Sequence, residues 1–482
     1  LKPLWLNSSW LTCLFLEAKP FEFVCLSASL SLQAGSIMEA ARDSDQQAAP
    51  DSPKRHAVLH EQQQPTPAGS DAKDVMDARI KVLGADVLAL AARSTLVSQK
   101  SVALCHVLQA VDLACGGERE HAVVAAQLFS NALPDLIRAV VDVFAATAPV
   151  SLVEKGGCTG DDCKDWAKTV GCFRTSGRNL KYTGGGSVRL KGLRFEGVSI
   201  HFTGAVGVEL DGCCLVDAAL SFCNCTAVYV HDCSIDNTAF TRTGLGFSGH
   251  TRFILVEAVT IFGTPRAEAG GKVDGIKCSS NTKGSPGIVE FFCLRRVTSQ
   301  GNESDGFDIY CPVARFLCVA ECTFRENRLT ALELKCGINC LDNAGGNEEK
   351  IQNRMTAKSE LRRLRPDHPF LFEYIVVYDN VYTKLGEAGI NVQVNPDREW
   401  PEDPMPLYEK VLLVHNRFEG EGGKYTMKCK VSKGGKYRKT TTGGFRHVQI
   451  VPWPDSVVQK ISLEPGIGDG KQSKRCKQNK KR

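Results

Sequence analysis

From Ser187 onward the chain repeats an eight-residue frame in which positions three, six and eight are apolar. VRLKGLRF (188–195), VELDGCCL (208–215) and VYVHDCSI (228–235) carry it at an interval of 20 residues. ILVEAVTI (254–261), LCVAECTF (317–324), IVVYDNVY (375–382) and VLLVHNRF (411–418) fit with looser chemistry, and FCLRRVTS (292–299) more loosely still. A repeat this short is too small for an independent domain and marks a solenoid. Alternation within each copy predicts strands that stack coil on coil, so that each frame position becomes a ladder. The expected fold is all-β: a right-handed, single-stranded parallel β-helix over 187–465, clearest between about Ser187 and Val431. Position six reads Leu193, Cys213, Cys233, Val259, Val297, Cys322, Asn380 and Asn416. Small interchangeable residues suit an inward column, so most of these cysteines are expected as buried small side chains, not disulfides or ligands.

Before the repeats the period is helical. Val75, Ile80, Val82, Leu83, Val87 and Leu88, then Val102, Leu104, Leu108 and Val111, then residues 122–143, predict an α-helical segment over 74–150. Three or four helices are expected, with Pro134 opening one. The Ala, Leu and Val content points to a helical cap or partner module without chemistry of its own. Residues 151–186 read as a Cys- and Gly-rich connector or N-terminal cap. Cys158, Cys163 and Cys172 allow a local disulfide or a zinc site, although the spacing lacks the paired hooks usual for structural zinc.

Composition changes the picture little. A net charge of +5 over 482 residues gives no argument for nucleic acid. Residues 1–73 read as a leader and a disordered linker, since 39–73 cannot bury a core. The first Met is Met38, so 1–37 are a candidate for upstream translation, and WLTCLFL is interrupted too soon for a membrane span. Residues 466–482 read as a disordered basic tail without aromatics, so specific nucleic-acid recognition is not expected. No transmembrane segment is expected, and a monomer is. Asn7, Asn224 and Asn302 open glycosylation triplets that chance explains. Localisation stays open, with no convincing signal peptide.

The chemistry lies on a second strand of the repeat. DGIKCS (274–279), DGFDIY (305–310), TALELK (330–335) and AGINVQ (388–393) align in one register. Ile276, Phe307, Leu332 and Ile390 share an inward column, and so do Cys278, Ile309, Leu334 and Val392. The intervening columns, Lys277–Asp308–Glu333–Asn391 and Ser279–Tyr310–Lys335–Gln393, are expected to face solvent together. Rungs lie about 4.8 Å apart, which gathers Asp274, Asp305, Asp308 and Glu333 into one patch. Carboxylates this close repel unless a cation binds, and an oxygen-only donor set suits Ca²⁺. Lys277 and Lys335 fall in the same patch, where a divalent cation disfavours an ammonium and moves a lysine towards a general base. The competing reading is ordinary solvated surface, because Asp-Gly is a common turn dipeptide.

The run VDGIK, ESDGFDIYC and ALELKCG resembles the pectate-lyase-like superfamily of parallel β-helices, and within it the Ca²⁺-dependent family 9 polysaccharide lyases. The likeness covers Val273 to Gly337; the rest is similar only as fold. It implies Asp274, Asp305 and Asp308 as calcium ligands and Lys335 as the base. Ser304 stands where that family has the first Asp of a double-Asp motif, and Glu333 is a candidate replacement. Glu333, Lys335 and Asn339 also loosely resemble a strand of the family 6 lyases. The implied activity is β-elimination of an acidic, uronate-containing polysaccharide. A uronate C5-epimerase, with Tyr310 returning the proton, and a non-catalytic β-helix that binds glycan or protein both remain open.

Overall fold

In the computed structural model of the protein, residues 70–464 are described except for connecting segments, chiefly 264–272, 280–285, 337–347, 365–369, 395–406, 430–444 and 454–461. The expected leader, linker and basic tail lie outside the described residues. The chain separates into a unit Leu1–Met76, described only at the start of a helix, and a unit Asp77–Arg482.

Three parallel sheets of ten, eleven and nine strands build the second unit. Neighbours in each sheet are strands one coil apart in sequence: Val188 pairs with Val208, Val208 with Val228, and Val228 with Ile254. A typical coil thus contributes one strand to each sheet, and the eleven-stranded sheet opens with an antiparallel pair, Phe173–Ser176 against Asn179–Tyr182. The chain is a right-handed parallel β-helix. The repeat frame spans one corner of it. Its first four residues lie in the ten-stranded sheet and its last two in the nine-stranded sheet, with a left-handed residue at position five turning between them. Gly192, Gly212, Asp232, Ala258, Arg296, Glu321, Asp379 and His415 take that turn, with φ between 51° and 66°.

The inward positions fill the interior as expected. Leu193, Cys213, Cys233, Val259, Val297 and Cys322 are buried, and all described cysteines are free thiols. Lower in the column the amides bond to one another. Asn380 Nδ2 donates to Val319 O and to Asn416 Oδ1, both at 2.9 Å, while its Oδ1 accepts the Cys322 N–H at 2.8 Å.

Pairing begins one coil before the first clear repeat, because Val150–Val153 pairs with Val188–Lys191. Upstream, the described residues hold two long helices rather than three or four, α1 (Ser70–Cys115) and α2 (Arg119–Ala145), and Pro134 sits inside α2. Phe129, Leu133, Leu136 and Ile137 of α2 share a core with Leu255, Cys293, Cys318, Val376 and Leu412 on the outer face of the ten-stranded sheet. This explains why the sequence there reads ILV, FCL, LCV, IVV and VLL without alternation: the strands are buried on both faces. A short helix α3 (Cys163–Val170) packs Trp166 and Val170 on the interior at the N-terminal end, so 151–186 includes the first coil and its cover.

Replacing Asn380 by Ala strands the Cys322 N–H and the Val319 carbonyl inside the solenoid. The expected loss is about 2–4 kcal/mol of stability, seen as a lower denaturant midpoint of unfolding.

Candidate active site

The eleven-stranded sheet carries the chemistry. In chain order its strands are β1 (Phe173–Ser176), β2 (Asn179–Tyr182), β3 (Ser199–Thr203), β4 (Leu220–Cys223), β5 (Leu245–Ser248), β6 (Ile276–Ser279), β7 (Phe307–Cys311), β8 (Thr330–Cys336), β9 (Ala388–Val394), β10 (Tyr425–Cys429) and β11 (Ser462–Glu464). The register is the expected one: Lys277 lies opposite Asp308, Asp308 opposite Glu333, and Glu333 opposite Asn391. Tyr310 lies opposite Lys335, and the side chains of Ile276, Phe307, Leu332 and Ile390 are fully buried.

Burial departs from expectation. The intervening columns were expected to face solvent, yet Asp308 is 3% and Glu333 7% exposed, with Asp274 at 1% and Asp305 at 3%. Carboxylates are short, and the longer lysines lie against them. Lys277 Nζ bonds Asp274 Oδ2 at 2.5 Å and Asp308 Oδ2 at 2.9 Å. Lys335 Nζ stands 2.5 Å from Glu333 Oε2 and 3.3 Å from Asp308 Oδ1. Asn391 Nδ2 donates to Glu333 Oε1 at 3.0 Å.

The two Asp-Gly turns also have structural work. Asp274 Oδ1 accepts the Asp305 N–H at 3.2 Å, and Asp305 Oδ1 accepts the Thr330 N–H at 2.9 Å, so each aspartate ties its turn to the next coil. The following glycines are forced by space. A Cβ on Gly306 would stand 2.7 Å from Ala331 O, and one on Gly275 would stand 2.3 Å from Ser299 Oγ. Ser304 Oγ lies 3.4 Å from Asp305 Oδ2, placing a neutral hydroxyl where the resembled family has a carboxylate.

Both lysines lie among carboxylates that favour their ammonium forms. For Lys277, burial disfavours the ammonium, but Asp308 and then Asp274 outweigh it and hold its pKa above the usual lysine range. Lys335 is likewise held high, with Asp308 and Glu333 opposing the effect of burial. The carboxyl with the largest cost is Asp305: burial, then Glu333, Asp308 and Asp274, push its pKa up to about 8.

A cation fits this donor set. Ligand atoms of Asp274, Asp305 and Asp308 lie within 4.8 Å of one another and all three residues are buried. Asp308 Oδ1 is buried outside hydrogen-bond geometry, despite its 3.3 Å approach to Lys335. The four carboxylates outnumber the two ammonium groups, so full ionisation leaves negative charge uncompensated. Lys277 already holds one oxygen of Asp274 and one of Asp308, two of the three residues, and is therefore a resident competitor for any metal. Sequence reasoning placed Lys277 in the patch but missed this bridge, and it left Asn391 outside the site.

Other expectations resolve simply. Asn302 is 1% exposed and bonds Ser299 and Asn327, so the folded protein offers no glycan acceptor there. His231 is half-buried beside Glu209, Asp211 and Asp232. Among the described residues no helix is long and apolar enough to cross a membrane.

No family model matches the chain, and no curated protein matches it. Among solved structures, an alginate lyase from Paenibacillus sp. str. FPU-7 aligns at 10% identity over 63% of this chain and 100% of its own, with a TM-score of 0.28. The periplasmic alginate epimerase AlgG aligns at 9% identity over 63% of this chain and 84% of its own, with a TM-score of 0.23. With TM-scores this low, the fold rests on the strand pairing and the function on the site.

Two outcomes follow from the geometry. Lys277→Met removes the competing ammonium and should tighten Ca²⁺ binding at least about tenfold in calorimetry, while costing the metal-free protein about 1–3 kcal/mol. That cost is below the value for a fully buried pair because the Lys277 side chain is 35% exposed. Asp305 is the second case. A carboxyl raised to about 8 keeps its proton in the folded state and loses it on unfolding. Its contribution therefore falls as pH rises from the ordinary carboxylate range towards 8, then levels off. Asp305→Asn, measured with a chelator present, should match the parent near pH 4 and be more stable than it near pH 8.

Proposed function

We propose that this chain binds a uronate-containing polysaccharide across the outer face of the eleven-stranded sheet and removes the C5 proton of one uronate, as a polysaccharide lyase. The observation that carries the reading is the convergence of Asp274, Asp305, Asp308, Glu333, Lys277 and Lys335 on three consecutive coils. Asp274, Asp305 and Asp308 would hold Ca²⁺, with Glu333 beside them, and Ca²⁺ supplies a Lewis acid that acidifies the proton next to the substrate carboxylate.

Lys335 is the base of the proposal. Its side chain is 19% exposed, so it reaches the face where substrate lies while Glu333 and Asp308 orient it. Those carboxylates hold its proton in place, and compensation of their charge is what frees the amine. The proton on C5 passes to the Lys335 Nζ, the C4–O bond breaks, and the glycosidic oxygen leaves. Tyr310, whose ring centroid is 5.9 Å from the Lys335 ammonium, is the candidate donor if the proton is instead returned from the opposite face, as an epimerase requires. A non-catalytic glycan-binding role is favoured by one observation, the Lys277 bridge, which already neutralises part of the acid cluster.

Calorimetric titration of Ca²⁺ into the full chain, beside Asp305→Ala/Asp308→Ala, tests the metal. Dissociation constants of about 10⁻⁶–10⁻³ M, lost in the double variant, are expected. On polyuronates, ultraviolet absorbance should report unsaturated product, and Lys335→Ala should lower turnover by about 10²–10⁴-fold with Ca²⁺ binding retained. Unchanged turnover in that variant removes lysine from the mechanism. Ca²⁺ binding without turnover or epimerised product favours the binding protein.

A further inference from the structure

Toward the N-terminal end of the same outer face, three side chains form a relay that proton abstraction does not use. Asn179 on β2, His201 on β3 and Ser221 on β4 are half-buried on three consecutive strands. His201 Nδ1 lies 2.5 Å from Ser221 Oγ, and its Nε2 lies 3.1 Å from Asn179 Oδ1.

The hydrogen-bond directions are determined from one end. Asn179 Nδ2 donates to the Ser176 carbonyl at 3.1 Å, which fixes the amide so that its oxygen faces His201. An amide oxygen only accepts, so Nε2 carries the proton of the neutral ring. Nδ1 is then the unprotonated nitrogen and accepts the Ser221 hydroxyl. A hydroxyl held on the basic nitrogen of a histidine oriented by a third group is the arrangement that activates a serine nucleophile. The next residue in the Ser221 column is Gly246, and a Cβ there would meet nothing closer than Ser221 Cβ at 3.8 Å. Beside the hydroxyl there is therefore space that a side chain fills elsewhere on the column. Lys277 follows Gly246 in the register, two strand spacings or about 10 Å from Ser221.

We propose that Ser221, His201 and Asn179 form an acyl-transfer site that hydrolyses O-acyl esters. Ser221 Oγ attacks the ester carbonyl carbon and its proton passes to His201 Nδ1. The tetrahedral intermediate collapses, the ester C–O bond breaks, and the departing alcohol takes that proton. Water, deprotonated by the same nitrogen, then attacks the acyl-serine; the acid is released and the proton returns to Ser221. Asn179 is a positioning residue, since it acts only through the ring. That the ester is an acyl group on a sugar hydroxyl rests on the polysaccharide reading above; the hydrolysis itself does not.

The test uses the full chain with a fluorophosphonate probe and a soluble aryl acetate, neither of which needs Ca²⁺ or a sugar. One phosphonyl adduct, mapped by mass spectrometry to Ser221, is expected in the parent protein. Ser221→Ala should abolish both adduct and ester turnover, and His201→Gln should slow both about 10²–10⁴-fold. Asn179→Ala should slow phosphonylation, and Asn179→Asp should restore it, which a merely structural role would not require. Absence of the Ser221 adduct in the parent protein overturns the proposal, as does an unchanged labelling rate in His201→Gln. Because the parent protein alone gives the first readout, a variant that misfolds does not rescue the idea. Esterase activity without uronate chemistry would sink only the preceding section's proposal, and the reverse result only this one.

Discussion

In-register stacking of coils is the constraint on which everything else depends. Between stacked coils the backbone N–H and C=O groups of the three sheets bond the coil before or after, with strands about 4.8 Å apart, so a residue's nearest neighbours are its counterparts one repeat away. Like residues then meet like residues, and the molecule is organised as columns. Apolar columns benefit directly. Stacked rings such as Phe202–Phe222–Phe247, with centroids 5.2 and 5.3 Å apart, extend through the interior. Polar columns survive inside only where they satisfy each other, as Asn380 and Asn416 do.

The same rule makes charge difficult. A column of carboxylates at this spacing raises its own free energy, and Asp305, held near 8, shows the cost. The chain offsets it by placing Lys277 in the column of Asp308 and Glu333, and Lys335 in the column two residues along, one coil to either side of Asp308. The result is a patch of buried carboxylates only partly compensated by two part-exposed ammonium groups. Such a balance is easily shifted by a divalent ion or an anionic substrate, which is the physical basis for reading the patch as a site rather than as a structural network.

The helices complete the picture by deciding which face is free. α2 covers the outer face of the ten-stranded sheet, where Leu255, Cys293, Cys318, Val376 and Leu412 would otherwise be exposed. The acid patch and the Asn179–His201–Ser221 relay both lie on the outer face of the eleven-stranded sheet. A polymer laid along that sheet would meet both.

Much of this was legible from residue order alone. The eight-residue frame and the register of DGIKCS, DGFDIY, TALELK and AGINVQ follow from period and spacing, because a parallel solenoid allows one alignment that keeps every inward column apolar. The cysteines of position six were readable as core for the same reason. What periodicity does not carry is the environment of an outward side chain. That Asp308 and Glu333 are buried, that Lys277 bridges two aspartates, and that both lysines are held protonated depend on how long side chains lie across neighbouring coils. Nor did spacing reveal the relay, since Asn179 lies in a hairpin before the first clear repeat and its amide is oriented by the Ser176 carbonyl. The sequence determined the columns, because backbone pairing needs only period; the tertiary structure alone decided their chemistry, because protonation and burial depend on the groups that surround each side chain in space.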